Sequence, residues 1–295
     1  MVRAGRPVLK LIRERKLVEL IPPPQRGAVL EASGVVVRGR ECFVVFDNVR
    51  QMARVGIDLD PASRANAWLG RRRAGEGYED VAYSPHLRRF FLLIEAEKHP
   101  DGTYKAVIEE CDAAWRYQGR AWADFAFETR QTGFEGLIAL RVRGVDYLLA
   151  LCEGNRGLHG ARGRTPGGGQ IVVFEKKGRG WSRAGLISLP YHLDFEDYSA
   201  MALRGRRLAV VSQKSARLWV GTLRTRDWSI TGDGCTYEFP RTSNGKRLYC
   251  TIEGLDWRSA DSFVMVSDLR KPGYPDRCAR TDQSIHIFRL PRSTS

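Results

Sequence analysis

Short apolar runs, each closing on a polar residue and set apart by glycine- and arginine-containing turns, dominate the chain. They read Cys42-Phe43-Val44-Val45-Phe46-Asp47, Phe90-Phe91-Leu92-Leu93-Ile94-Glu95 and Tyr147-Leu148-Leu149-Ala150-Leu151-Cys152-Glu153. Two more are Leu208-Ala209-Val210-Val211-Ser212-Gln213 and Phe263-Val264-Met265-Val266-Ser267-Asp268. Runs of this length and β-branched content predict buried strands. Helical periodicity is almost absent; Leu9–Leu20 fits either a short amphipathic helix or a strand.

About ten residues before each of these runs stands a second pattern: an acidic or hydroxyl residue, a small or acidic one, then alternating apolars. It appears at Ser33-Gly34-Val35, Glu79-Asp80-Val81, Glu135-Gly136-Leu137, Ser199-Ala200-Met201 and Glu253-Gly254-Leu255. Each pair of runs, joined by a turn such as Arg38-Gly39-Arg40 or Arg204-Gly205-Arg206, reads as a hairpin. The hairpins recur every 46–64 residues, at positions 33, 79, 135, 199 and 253. A unit of that size holds four short strands, the size of a propeller blade. The unit from Glu135 shows four: Phe134–Leu140, Tyr147–Cys152, Gln170–Phe174 and Leu186–Leu189.

The last unit lacks a fourth strand, and Val8–Ile21 has no blade of its own. The pattern therefore predicts an all-β, single-domain propeller over residues 1–295. Blades start near 31, 78, 134, 197 and 252, and residues 1–30 supply a closing strand and linker. Closure removes exposed sheet edges. Five blades are expected, or six if Ala96–Ala126 hides another sheet.

A propeller aims its innermost strands at a central channel, so equivalent positions should converge. One stacked set is Ser33, Glu79, Glu135, Ser199 and Glu253; the other is Asp47, Glu95, Glu153, Gln213 and Asp268. Every member offers oxygen. Two carboxylates about 4 Å apart repel by roughly 4 kcal/mol at an effective dielectric of 20. Such a cluster needs a hard cation, raised pKa values, arginine partners, or a structural role capping the next blade. Glu79, Glu135, Glu153, Glu253 and Asp268 form the candidate metal set. Glu79, Glu95, Glu153, Asn155, Arg156, Gln213 and Lys214 form the candidate ligand set. Glu135, Glu253 and His192, the last near Asp194, Glu196 and Asp197, are the candidate catalytic residues. The loop from Arg156 to Gly169 would make an anion site of Arg156, Arg162 and Arg164 if it folds over the mouth.

Charge complicates this picture. Lys and Arg number 48 against 34 Asp and Glu, a net +14, and only nine of the basic residues are lysine. That invites a polyanion reading. The arginines nevertheless fall in short clusters far apart in sequence, so no nucleic-acid partner is expected; a basic rim remains open to protein partners. The six cysteines form no CxxC pair and the N-terminus has no apolar signal region, so free thiols and a cytoplasmic monomer are expected. No apolar run is long enough to span a membrane.

The segments Phe134-Glu135-Gly136-Leu137, Leu151-Cys152-Glu153-Gly154-Asn155 and Ile252-Glu253-Gly254-Leu255-Asp256-Trp257 carry a resemblance. With Leu208–Gly221 and Asp282–Phe288 they resemble bacterial propellers grouped as SdiA-regulated-like and as the esterase-like domain of phytases. The resemblance covers most of the chain from about residue 30. It implies a propeller with phosphoester hydrolysis and calcium; Ser33 and Ser199 stand where a carboxylate would add a metal ligand. The expectation is a small or anionic ligand bound at the channel mouth, with calcium or another divalent cation as the candidate cofactor. The alternatives are a metal-dependent phosphoesterase or lactonase-like hydrolase, and a protein-interaction scaffold.

Overall fold

The computed structural model describes residues 5–23, 25 and 27–291; residues 1–4, 24, 26 and 292–295 of the expected domain lie outside the described residues. Strand β1 (Lys10–Lys16) is followed by a single helical turn, Leu17–Leu20. The first blade is β2 (Ala32–Arg38), β3 (Glu41–Phe46), β4 (Met52–Gly56) and β5 (Ala67–Leu69). The second is β6 (Asp80–Ser84), β7 (Arg89–Lys98), β8 (Tyr104–Asp112) and β9 (Tyr117–Phe127). The third is β10 (Phe134–Val142), β11 (Val145–Cys152), β12 (Gln170–Lys177) and β13 (Gly180–Ser188). The fourth is β14 (Ala200–Arg204), β15 (Arg207–Ser212), β16 (Arg217–Arg224) and β17 (Ser229–Glu238). The fifth is β18 (Ile252–Trp257), β19 (Ser262–Ser267) and β20 (Ser284–Arg289), completed by β1.

Each blade is an antiparallel meander, and the five innermost strands neighbour one another around a central channel. The fold is a five-bladed β-propeller. The stretch Ala96–Ala126 holds no sixth blade: it supplies the end of β7 and the outer strands β8 and β9. Blades two and three touch at their rims through one parallel bridge, Trp181 to Ala123.

The apolar runs are continuous because second strands are covered on both faces. In β3, Val44 and Phe46 pack with Ile285 and Ile287 of the fifth blade, while Phe43 and Val45 pack with Phe90 and Leu92 of the second. Alternate side chains thus join different neighbours, the two-residue period of a strand.

Ring closure rests on β1, which pairs antiparallel with β20 from Lys10 opposite Arg289 to Lys16 opposite Ser284. His286, fully buried, ties the seam: Nδ1 lies 2.8 Å from Glu14 Oε2 and Nε2 lies 2.6 Å from Ser267 Oγ. Nδ1–H donating to the carboxylate and the serine hydroxyl donating to Nε2 satisfies every group. Burial, opposed by the Glu14 carboxylate, holds the His286 pKa below its usual value.

The innermost strands bond from blade to blade. Ser33 donates to the Tyr78 carbonyl, and Ser199 to the Ile252 carbonyl at 2.8 Å. Asp80 accepts from Leu137 N–H at 2.6 Å, and Asp256 from Val37 N–H at 2.7 Å. The crowding leaves no room for side chains at Gly34 and Gly254, where a Cβ on Gly254 would stand 2.9 Å from the Gly34 Cα.

The cysteine expectation fails at two positions. Cys250 and Cys278 form a disulfide; Cys42, Cys111 and Cys152 are buried thiols and Cys235 an exposed one. No CxxC spacing signals the bridge, because the partners lie on two different loops brought together only by the fifth blade. Among the described residues, no helix is long and apolar enough to cross a membrane. The bridge closes a loop with a sequence separation of 28. Replacing both cysteines by serine is expected to lower stability by roughly 3–4 kcal/mol, the chain-entropy value for such a loop. Urea unfolding of oxidised wild type against the double variant measures it; equal midpoints would show that the bridge contributes nothing.

Candidate functional site

The starts of the innermost strands and the ends of the second strands meet at one mouth of the channel. Register shifts between Ala32 and Gly34, Phe134 and Gly136, and Ile252 and Gly254 leave Ser33, Glu135 and Glu253 as the extra residues of β-bulges. Bulges re-aim side chains. Backbone bonds extend the ladders beyond the bulges: Asp47 N–H donates to Glu31 O at 3.0 Å, and Asp268 N–H to Thr251 O at 2.9 Å. Next to Asp47 the chain of the second blade comes so close that a Cβ on Gly77 would lie 1.9 Å from the Phe46 carbonyl oxygen.

The stacked positions divide by residue type. Ser33 and Ser199 are buried and spent on inter-blade bonds. The glutamates are not used that way. Glu253 takes Lys271 Nζ at 2.8 Å and Gln213 Nε2 at 3.0 Å. Lys271 also stands 3.6 Å from Asp268 Oδ2. Burial works against the charge of Lys271, but Glu253, Asp268 and Glu135 together raise its pKa. Burial, with Glu79, Glu153 and Glu253 nearby, pushes Glu135 well above the usual carboxylate range. The same causes, with Glu95 and Glu253 the leading charges, push Glu79 up to about 8. Glu95 is raised by burial and by Glu76 and Glu153 against the pull of Arg130.

A tighter group sits at the seam between the first and fifth blades. One carboxylate oxygen from each of Glu31, Asp47 and Asp268 lies within 4.8 Å of the others. Burial and the Asp268 charge push Asp47 up to about 9. Burial and Glu253 push Asp268 to about 7. One oxygen of Asp47, Oδ1, is buried with no hydrogen-bond partner among the described residues. Of the five acids expected to hold a metal, only Asp268 belongs to this trio. Glu79, Glu135, Glu153 and Glu253 feel one another electrostatically but lie outside it.

The remaining expected residues fall in three places. Gln213 reaches the mouth through Glu253. Lys214 lines a small cavity of about 80 Å³ with Glu153, His159, Arg164 and Asp197, the last raised to about 6 by burial. Asn155, expected at the ligand, is instead fully buried and structural. Its amide donates to Gly163 O and Phe195 O and accepts from Gly168 N–H and the Tyr198 hydroxyl, so it holds the glycine-rich loop. Arg156 is exposed with a left-handed backbone, φ 58°. Arg162 turns outward to Glu128 at 3.2 Å, away from the anion site expected of this loop. His192 is exposed and packs edge-on against Tyr191, while Asp194 pairs with Arg6 at 3.1 Å and with Arg217.

Sequence reasoning missed Glu31 and Lys271. Glu31 was findable: an acid at the end of a second strand pairs through the backbone with the residue two before the bulge. Lys271 lies in the long loop after β19 and carries no periodic signal. That loop is pinned by the Cys250–Cys278 bridge and by Lys16 Nζ, 2.7 Å from Asp282 Oδ1.

No protein-family model and no curated protein matches the chain, so the resemblance to SdiA-regulated-like and phytase-type propellers holds for the architecture alone. Solved structures do match. The glutaminyl cyclase of Myxococcus xanthus aligns at TM-score 0.56 and 11% identity, over 97% of this chain and 99% of that one. The PQQ-bound aldose sugar dehydrogenase of Streptomyces coelicolor aligns at 0.54 and 12%, over 98% and 99%. A GH43 β-xylosidase/α-arabinofuranosidase from a compost microbial metagenome, in a calcium-free complex with xylotriose, aligns at 0.53 and 8%, over 97% and 96%. At these identities the likeness shows the fold.

Proposed function

We propose that this propeller binds a small anionic ligand at its acidic mouth through a divalent cation. The observation that carries the reading is the trio Glu31, Asp47 and Asp268, with its unpartnered Asp47 oxygen. A buried carboxylate oxygen without a partner is costly. Hard cations take roughly 6–8 oxygen ligands, from carboxylates, carbonyls and water. The trio supplies carboxylates from two blades, and a bound anion would complete the shell. Calcium fits this donor set better than zinc, which prefers nitrogen and sulfur.

The pKa directions give the test. Asp47, Glu79 and Asp268 ionise at higher pH folded than unfolded. Their contribution to stability is complete below about pH 4, declines from there as pH rises, and is exhausted once pH passes the folded values of roughly 7 to 9. In EDTA, the thermal midpoint is expected to fall across that window, and Asp47→Asn to flatten the fall. A cation must displace these protons, so it binds better at pH 8 than at pH 5. Calcium at a hundredfold excess over Kd is expected to add about 2.7 kcal/mol at pH 8, with the gain lost in Asp47→Asn. No shift with calcium, magnesium or manganese at pH 8 would remove the reading.

A second reading, a hydrolase, is favoured by the contrast between Glu79 and Glu253. Glu79, at about 8, keeps its proton at neutral pH, whereas Glu253 is paired with Lys271. One protonated and one ion-paired carboxyl at a common mouth can divide general-acid and general-base roles. The solved propellers that align include glycosidases and a cyclase. Chromogenic phosphoesters, lactones and aryl glycosides form the test panel. If one is turned over, Glu79→Gln is expected to cut kcat by about 100- to 10,000-fold and abolish the alkaline limb near pH 8. Unchanged turnover in that variant would refute the assignment.

A further inference from the structure

The arginines that look scattered in sequence are gathered by the fold. Each innermost strand runs from the acidic mouth to the far end of the channel, and each inner hairpin turns there. Every one of these five turns carries arginine: Arg38-Gly39-Arg40, Arg88-Arg89, Arg141-Val142-Arg143, Arg204-Gly205-Arg206-Arg207 and Arg258. Three acids accompany them: Glu41, paired with Arg54, Asp146, 3.8 Å from Arg141, and Asp261, 3.6 Å from Arg289. Arg40, Arg88, Arg143, Arg204, Arg206 and Arg258 are exposed and make no ion pair among the described residues. Two further guanidinium groups stand over aromatic rings, Arg38 4.6 Å from the Tyr83 ring centre and Arg207 4.7 Å from that of Trp257. The channel therefore has one acidic mouth and one ringed by arginine.

A groove of about 470 Å³ leads outward from this ring between the second and third blades, lined by Arg89, Arg120, Lys176 and Arg179. Glu110 on its floor is shared between Arg89 and Lys176. Arg120 is likewise paired, with Glu97 at 2.7 Å, so the groove adds mainly Arg179 to the ring of free guanidinium groups.

We infer that this mouth docks the phosphodiester backbone of a nucleic acid, with contacts blind to sequence. Two observations select that partner. Arginine forks match phosphate oxygens in bidentate geometry. A membrane plane would also meet the outer hairpins that turn at the same blade ends. Those are mixed in sign: Asp58, Asp60, Asp112 and Asp227 stand among six basic residues, of which Arg116 and Arg224 pair with Asp112 and Asp227. Unpaired positive charge is thus densest in the inner ring, a compact target rather than a uniformly basic plane.

The experiment measures anisotropy of fluorescein-labelled RNA and DNA, single-stranded and duplex, in EDTA so that the acidic mouth plays no part. Log affinity against log salt is expected to be linear, with slope about −0.9 per phosphate neutralised on duplex DNA and about −0.7 on a single strand. The triple variant Arg40→Gln, Arg204→Gln, Arg206→Gln is expected to bind at least about tenfold more weakly, with a slope shallower by roughly 2 to 3. The charge-matched triple Arg71→Gln, Arg72→Gln, Arg162→Gln, at the other end of the molecule, is expected to stay within about twofold of wild type. Comparing the four probes identifies which nucleic acid is preferred. Equal losses in both triples, no binding at 100 mM salt (about one Debye length of 10 Å), or equal competition by polyglutamate or phosphatidylserine vesicles would each overturn the inference.

Discussion

Five strands meeting on one axis constrain everything else in this molecule. Because the innermost strands bond to each other through Ser33, Asp80, Ser199 and Asp256, any residue at the equivalent position of each blade is delivered to the same small circle. The chain uses the circle in two ways. Serine closes it; glutamate crowds it. Burial first, and crowding with it, drives Glu79, Glu135, Asp47 and Asp268 toward their protonated forms, and Lys271 opposes the shift at Glu79, Glu135 and Asp268. The second constraint is the seam. The β1–β20 pairing converts an open fan of sheets into a ring, and the buried His286 with Glu14 and Ser267 fixes that pairing in register.

The fold was legible because burial on both faces leaves a signature in sequence. Strands such as β3 must be apolar at every position, since alternate side chains serve different neighbours. The missing fourth strand of the last unit, and the spare strand at the N-terminus, likewise followed from counting. The number of blades needed the structure only to assign Ala96–Ala126 to β7, β8 and β9. The site was half legible. Periodicity can align Glu79, Glu135 and Glu253, because they occupy equivalent positions. It cannot find Lys271, which reaches the mouth from an aperiodic loop, nor foresee that Asn155 spends its amide on the glycine-rich loop, Phe195 and Tyr198. The disulfide was invisible for the same reason, since Cys250 and Cys278 belong to no repeat.

Net charge was the least informative number taken alone and among the more informative once distributed. Opposite ends of each inner hairpin carry opposite signs. The acids sit where strands begin, the arginines where they turn. This gives the channel a polarity along its axis that no average over the chain contains.

The serines at positions 33 and 199 have one more effect. Two of five spokes present a short hydroxyl already committed to its neighbour, and the carboxylate trio comes from the first and fifth blades only. The mouth is therefore eccentric. A ligand held there would rest against one sector of the rim, over the junction of the first and fifth blades, rather than on the pseudo-fivefold axis. A bound guest would then act as a clasp across the joint of the first and fifth blades, separate from the zipper that β1 and β20 form within the fifth.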